Sequence, residues 1–198
     1  MAISLEKGRK VSLQKTRPAG LGEILVNLNW NSRQVTRGFF GTKTVNVDLD
    51  LGCLYELKDG RKGTVQPLGN AFGRLNDAPF IALDGDDRTG AVSTGENLRI
   101  NGDRIADIKR ILVYTYIYEG VANWQNADAT VTIKYPGAED MIVKMDSYNS
   151  TDRMCALVLF ENDNDETFSV EKIVRFFPGH RLLDEAYNWG LRWTAGRK

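Results

Sequence analysis

Apolar and polar residues alternate with a period of two along most of this chain. Glu23 to Trp30 sets Ile24, Val26, Leu28 and Trp30 on one face and Glu23, Asn27 and Asn29 on the other, with Leu25 out of phase. That alternation predicts a strand with one buried face. It recurs from Val45, where Val45, Val47, Leu49 and Leu51 oppose Asn46, Asp48 and Asp50, and the strand pattern runs on to Leu57. Further strands are expected at Val11–Leu13, Phe80–Leu83, Asn97–Ile100, Ile108–Tyr118, Ala129–Tyr135, Met141–Met145, Arg153–Glu161 and Phe168–Phe177. Between them stand turn signals: Lys58-Asp59-Gly60, Asn101-Gly102-Asp103, Tyr135-Pro136-Gly137 and the acidic stretch Glu161–Glu166, read as a solvated hairpin loop. About ten short strands at this spacing predict an all-β fold, an antiparallel β-sandwich.

The period changes at the end. After Pro178-Gly179, the spacing of Leu183, Ala186, Tyr187 and Gly190 predicts an amphipathic C-terminal helix from His180 to Trp193. Asp184 and Glu185 fall near its expected start, where the helix dipole favours acids. Such a helix should pack against the sheet. A helical turn is expected within Val121–Ala127. No repeat, low-complexity tract or linker interrupts the chain, so residues 1–198 read as a single domain.

Charge narrows the partners. Lys+Arg and Asp+Glu both total 26, so the formal net charge is zero, which argues against bulk electrostatic attraction to nucleic acid. The longest apolar run, Ile111–Tyr118, falls far short of the roughly 20 residues of a membrane-spanning helix. The opening residues turn polar at once, unlike a signal peptide, and a cytoplasmic protein is expected. The two cysteines, Cys53 and Cys155, sit in apolar stretches and read as buried thiols.

Candidate chemistry concentrates in carboxylates. Asp48 and Asp50 lie two apart on a strand, so both emerge on the same face. Gly85-Asp86-Asp87-Arg88-Thr89-Gly90 is bracketed by glycines that let carbonyl oxygens turn inward beside two carboxylates. Close carboxylates repel, and a cation offsets the repulsion. Such hard oxygens select calcium or magnesium over zinc or copper. A solvated strand face for the first pair, and an Asp-rich turn paired to Arg88 for the second, are the plainer alternatives. An EF-hand is excluded, because Leu51 and Leu57 occupy the positions that need glycine and glutamate. Glu96 and Glu119 are further carboxylates within reach of the pattern. The one histidine, His180, excludes a multi-His zinc site and suits a capping or packing role. No nucleophile elbow, Walker A loop or dinucleotide fingerprint appears. A metal-dependent hydrolase would need an open coordination position and a pocket. A lectin-like or small-ligand-binding sandwich would use Trp30, Trp124 and Tyr118 for stacking.

Several of these segments, in order, resemble the TerD-domain family of tellurium-resistance and chemical-stress proteins. Ile3-Ser4-Leu5-Glu6-Lys7-Gly8 and Val11-Ser12-Leu13-Gln14-Lys15 look like the family's opening. Leu25 to Asn31 stands where the family has Leu-Gly-Trp-Asp. Asp48-Leu49-Asp50 matches its Asp-Leu-Asp, and Gly85 to Gly90 matches its Gly-Asp-Asn-Arg-Thr-Gly. The resemblance implies a calcium-binding β-sandwich of stress operons with no established catalytic reaction. Carried over, Asp48, Asp50, Asp86 and Asp87 are the implied ligands, with backbone oxygen from Thr89 or its neighbours. Glu96 matches the glutamate that closes the family's acidic Gly-Asp-Gly-Asp-Asp-Glu segment. Ala91-Val92-Ser93-Thr94-Gly95 and Asn31 depart from the acidic pattern, which implies fewer or weaker sites and stronger competition by magnesium. Implied partners are other stress-response proteins, or the inner membrane surface. Ile117–Gly120, Phe176–His180 and Tyr187–Trp193 look like the TerA-like branch.

Overall fold

A computed structural model describes residues 2–18, 20–31, 33–38, 41–84, 95–120, 124–145 and 150–195, with backbone alone at 33–38, 41–46 and 126. The first strands are β1 (Ile3–Ser4), β2 (Lys10–Ser12), β3 (Glu23–Asn29), β4 (Arg33–Gly38) and β5 (Gly41–Asn46). β6 (Asp48–Leu57), β7 (Lys62–Val65), β8 (Gly73–Arg74), β9 (Ile81–Leu83), β10 (Glu96–Asn101) and β11 (Ile108–Glu119) follow. The chain continues through α1 (Trp124–Ala127), β12 (Thr130–Lys134), β13 (Met141–Lys144), β14 (Met154–Asp163), β15 (Thr167–Phe177) and α2 (His180–Ala186).

Thirteen of these strands form two sheets, one ordered β1-β13-β12-β3-β10-β9-β8 and the other β2-β15-β14-β11-β6-β7. β4 and β5 pair separately as a ribbon. The inner faces meet through Ile24, Val26 and Leu28 of β3, Leu98 and Ile100 of β10, and Leu49, Leu51 and Cys53 of β6, all fully buried. Each such aliphatic side chain stabilises the fold by about 1.5–3 kcal/mol relative to exposure. The phase read from alternation in β3 and β6 is therefore the phase that builds the core. Every segment expected as a strand carries one, and the acidic stretch is the turn of the β14–β15 hairpin.

Details of several expected elements differ. The strand count is higher than about ten, because β1, β7, β8 and the β4–β5 ribbon lack a recognisable alternation. The strand expected from Val45 is divided at Val47, with Val45 and Asn46 belonging to β5. Pairing is antiparallel except at β1, which joins β13 in parallel. The C-terminal helix is also shorter than expected: it stops at Ala186 instead of Trp193. Asn188 and Gly190 turn the chain with φ of 53° and 76°, in the left-handed region. Asp184, near the helix end and not its start, fixes that turn. Its carboxylate accepts the N–H groups of Gly190 (2.7 Å) and Leu191 (3.0 Å) and the Trp193 Nε1–H (3.1 Å).

This turn makes the tail a strap. Leu54, Leu112, Tyr114, Tyr116, Met154, Ala156 and Phe177 form a second apolar layer on the outer face of the six-stranded sheet, and Leu183 and Trp189 cover it. Trp189 Nε1–H donates to the Tyr55 carbonyl (2.9 Å), and the Arg110 guanidinium stacks 3.8 Å above its ring. Arg110 also donates to Glu56 (2.6 Å) and to the carbonyls of Tyr187 (3.0 Å) and Asn188 (3.2 Å).

His180 is half-buried between the rings of Tyr114, Tyr116 and Trp193, and burial pushes its imidazole down to about 4. The folded state thus holds the neutral ring, whereas the released ring titrates near 6.5. Its contribution is complete above that value and is lost as pH falls toward 4. His180→Phe, which keeps the ring and cannot titrate, should remove about 2 kcal/mol of the stability difference between pH 7 and pH 5. Paired urea melts of the two proteins check this; identical pH dependence would refute it.

Candidate metal centre

The carboxylate site is built on the Asp48 end of β6. Across β11, Asp48 stands opposite Glu119, Asp50 opposite Tyr116 and Leu51 opposite Thr115. On its other side β6 pairs with β7 from Cys53 to Glu56, so β7 does not reach Leu51. A buried backbone N–H must find an acceptor. For Leu51 that acceptor is Glu96, the first residue of β10, whose Oε2 crosses from the opposite sheet. Asp50 is 0% exposed and Glu96 2%, and Asp48 is half-buried. Asp48 Oδ1, Asp50 Oδ2 and Glu96 Oε1 are all shut off from solvent. The polar face of β6 is therefore not a solvated edge: its Asp50 end is enclosed.

Tyr116 borders the same place. Burial, followed by the negative charges of Asp50 and Glu96, holds its hydroxyl in the phenol form, far above the ordinary range. Nothing in the sequence singles it out from the other tyrosines of β11.

Asp86, Asp87 and Thr89 lie outside the described residues, but both stems of their segment are fixed. At the near stem the Asp84 carboxylate takes two hydrogen bonds from Arg99, each 2.6 Å, and Asp84 N–H donates to the Asn97 carbonyl (3.0 Å). At the far stem Gly95 has φ of 65°, and a Cβ there would lie 2.1 Å from the Leu28 carbonyl oxygen, so only glycine enters β10 at this point. Glu96 follows directly. The segment bearing Asp86 and Asp87 thus ends where Glu96 reaches Asp50 and Leu51. Glu119 is exposed at the far end of β11, where Arg153 ties the carbonyls of Ile117, Tyr118 and Gly120.

The donor set is hard oxygen throughout, which fits calcium or magnesium. Among the described residues, however, no three His, Cys, Asp or Glu side chains gather closely enough to hold a metal ion. Of the expected ligands, Asp48, Asp50 and Glu96 are described, and Asp86, Asp87 and Thr89 are not. Elsewhere, Cys53 and Cys155 are free and buried, and burial pushes the Cys53 thiol up to about 12. Trp30 is only 8% exposed and donates to the Val47 carbonyl; Trp124 is fully buried and donates to the Asp152 carbonyl. Neither offers a ring face for ligand stacking.

Residues 1–159 match the family model of the TerD domain, and the chain belongs to the TerD-domain family. It is 39% identical over 200 residues to tellurium resistance protein TerA of an Alcaligenes species, covering 96% of this chain and 58% of that protein. It is 31% identical over 135 residues to stress response protein SCP2 of Bacillus subtilis, covering 64% of this chain and 65% of that one. Tellurium resistance protein TerD of an Alcaligenes species is 29% identical over 130 residues, covering 64% and 62%. The chain spans less than two thirds of the length of each of these relatives. The TerA alignment necessarily reaches into the strap beyond residue 159. The crystal structure of a homologue of the telluride resistance protein TerD from Streptomyces coelicolor superimposes with a TM-score of 0.59 at 20% identity. That match covers 83% of this chain and 95% of the homologue, and shows a shared fold.

The bridge from Glu96 to Leu51 makes a prediction independent of any ion. In the presence of chelator, Glu96→Ala should destabilise the protein by about 1–3 kcal/mol by stranding a buried N–H. Glu96→Gln keeps an acceptor and should lose less. Urea midpoints of the two variants decide; equal losses would show that the hydrogen bond is not what Glu96 contributes.

Proposed function

We propose that this chain is a calcium-binding stress-response protein of the tellurium-resistance type, acting through cation-ordered loops and partner contacts without turnover. One observation carries the reading. Asp50 and Glu96, from opposite sheets, are buried together at the stem of the segment that contains Asp86 and Asp87. Buried negative charge is costly unless positive charge accompanies it. The proposed ligands are Asp48, Asp50, Asp86, Asp87 and Glu96, with backbone oxygen near Thr89. When bound, the ion would neutralise these groups and tie the end of β6 to the 85–94 segment.

Neutral residues at 91–95 and at Asn31 lower the ligand charge, so affinity falls and magnesium competes. The proposed setting is the cytoplasm, with other stress-response proteins or the inner membrane surface as partners. Among the described residues no helix is long and apolar enough to cross a membrane.

Calcium should give binding heat with chelator-stripped protein and should raise the melting temperature. At a hundredfold excess over Kd the stabilisation is about 2.7 kcal/mol. Asp48→Ala and Asp86→Ala should each remove the shift. A wild-type protein indifferent to calcium would defeat the reading, and an unchanged shift in both variants would defeat the ligand assignment.

A further inference from the structure

We infer that Tyr116 is a positioning residue that couples the carboxylate site to the C-terminal strap, so that cation binding tightens residues 180–193 on the sheet. The inference rests on the calcium reading above and adds its means of regulation.

Tyr116 has two ends in two places. In the β6–β11 register it stands opposite Asp50, and its hydroxyl is buried beside the Asp50 and Glu96 charges. Its ring packs edge-on against His180, with centroids 5.1 Å apart. His180 opens α2 and packs in turn on Trp193, at 4.9 Å. Trp193 donates to Asp184, the carboxylate that also holds the Gly190 and Leu191 amides. An unbroken series of contacts therefore runs from Asp50 through the rings of Tyr116, His180 and Trp193 to the hydrogen bonds that close the strap.

The other wall of the His180 pocket is held from a different side. The Tyr114 hydroxyl is 2.7 Å from both Thr64 Oγ1 and Gln66 Oε1. Its ring lies so close over β6 that a Cβ on Gly52 would come within 2.8 Å of it. Tyr114 is thus held by Thr64 and Gln66, whereas the buried Tyr116 hydroxyl lies beside Asp50. The distal half of the strap is anchored separately, by Trp189 and Arg110 at the Glu56 end of β6. Occupancy at Asp50 would thereby decide how firmly the other half is seated. That half presents Arg181, Leu182, Glu185 and Arg192 to solvent, with Leu182 47% exposed. The surface available to a partner would then depend on the ion.

The test combines calorimetry with backbone hydrogen exchange on the same protein. With wild type, calcium should release heat and slow exchange of the Gly190 and Leu191 amides by ~10-fold. Tyr116→Phe keeps the ring and removes the hydroxyl; it should still release heat but lose the slowing. His180→Leu breaks the ring contact away from the carboxylates and should likewise bind without slowing, which guards against misfolding of the first variant. Wild-type heat without slower exchange, or full slowing in both variants, would overturn the coupling alone. Absence of heat in wild type would overturn the calcium reading and the coupling with it.

Discussion

The architecture around the site depends on one hydrogen bond that crosses the sandwich. β11 runs along one side of Leu51, but β7 pairs with β6 only from Cys53 to Glu56 and does not reach the buried Leu51 N–H on the other. Glu96 supplies the missing acceptor from the other sheet. A carboxylate in that role brings charge into the interior beside a second buried acid, Asp50. A neutral side chain would have satisfied the N–H at a smaller desolvation cost. The use of glutamate is what makes the place chemically unusual, and it also fixes where the 85–94 segment must end.

The six-stranded sheet is the second constraint. Both of its faces are apolar over much of β11 and β14, with Ile111 and Val113 facing the inner core and Leu112 and Tyr114 the outer layer. A sheet buried on both sides needs cover on both sides. The seven-stranded sheet covers one, and the strap covers the other. The strap is short on regular structure, with seven helical residues, and relies on side-chain anchors instead. Asp184 closes its turn, and Arg110 joins Trp189 to the carboxylate of Glu56. Glu56 sits among Lys62, Lys109 and Arg110, and although burial opposes its ionisation, those cations hold its carboxyl below the usual range.

How much of this is legible in the sequence depends on whether local pattern or distant packing decides. The phase of β3 and β6 is legible, because a two-residue slip-free alternation can bury only one face. The shared face of Asp48 and Asp50 follows from the same rule. The burial of Asp50 does not. Alternation marks its face as polar, whereas its enclosure comes from Tyr116 on the paired strand and from the opposite sheet that carries Glu96. The strap shows the converse. Tyr187, Trp189 and Trp193 are apolar residues at near-helical spacing, and they do pack on the sheet, but from a turn that Asp184 enforces through contacts invisible to periodicity. Tyr116 was not legible as a site residue, since its role comes from the residue across from it. The family resemblance, by contrast, rested on short motifs in fixed order, and the match over residues 1–159 covers the segments that carry them.

The departures from the acidic pattern gain a physical meaning once the geometry is known. Positions 91–95 and Asn31 carry no carboxylate where the family resemblance implies acids, whereas Asp50 and Glu96 are acidic and buried. Fewer acids at these positions mean less ligand charge and so weaker attraction for a cation. Loss of Glu96 would break the link between sheets as well as the proposed site. Under the proposed function, an ion bound at Asp50 and Glu96, even weakly, would therefore act on a constrained part of the fold. On this reading affinity and mechanical effect are separable: the outer ligands set how often the ion is present, and the buried pair sets what its presence does.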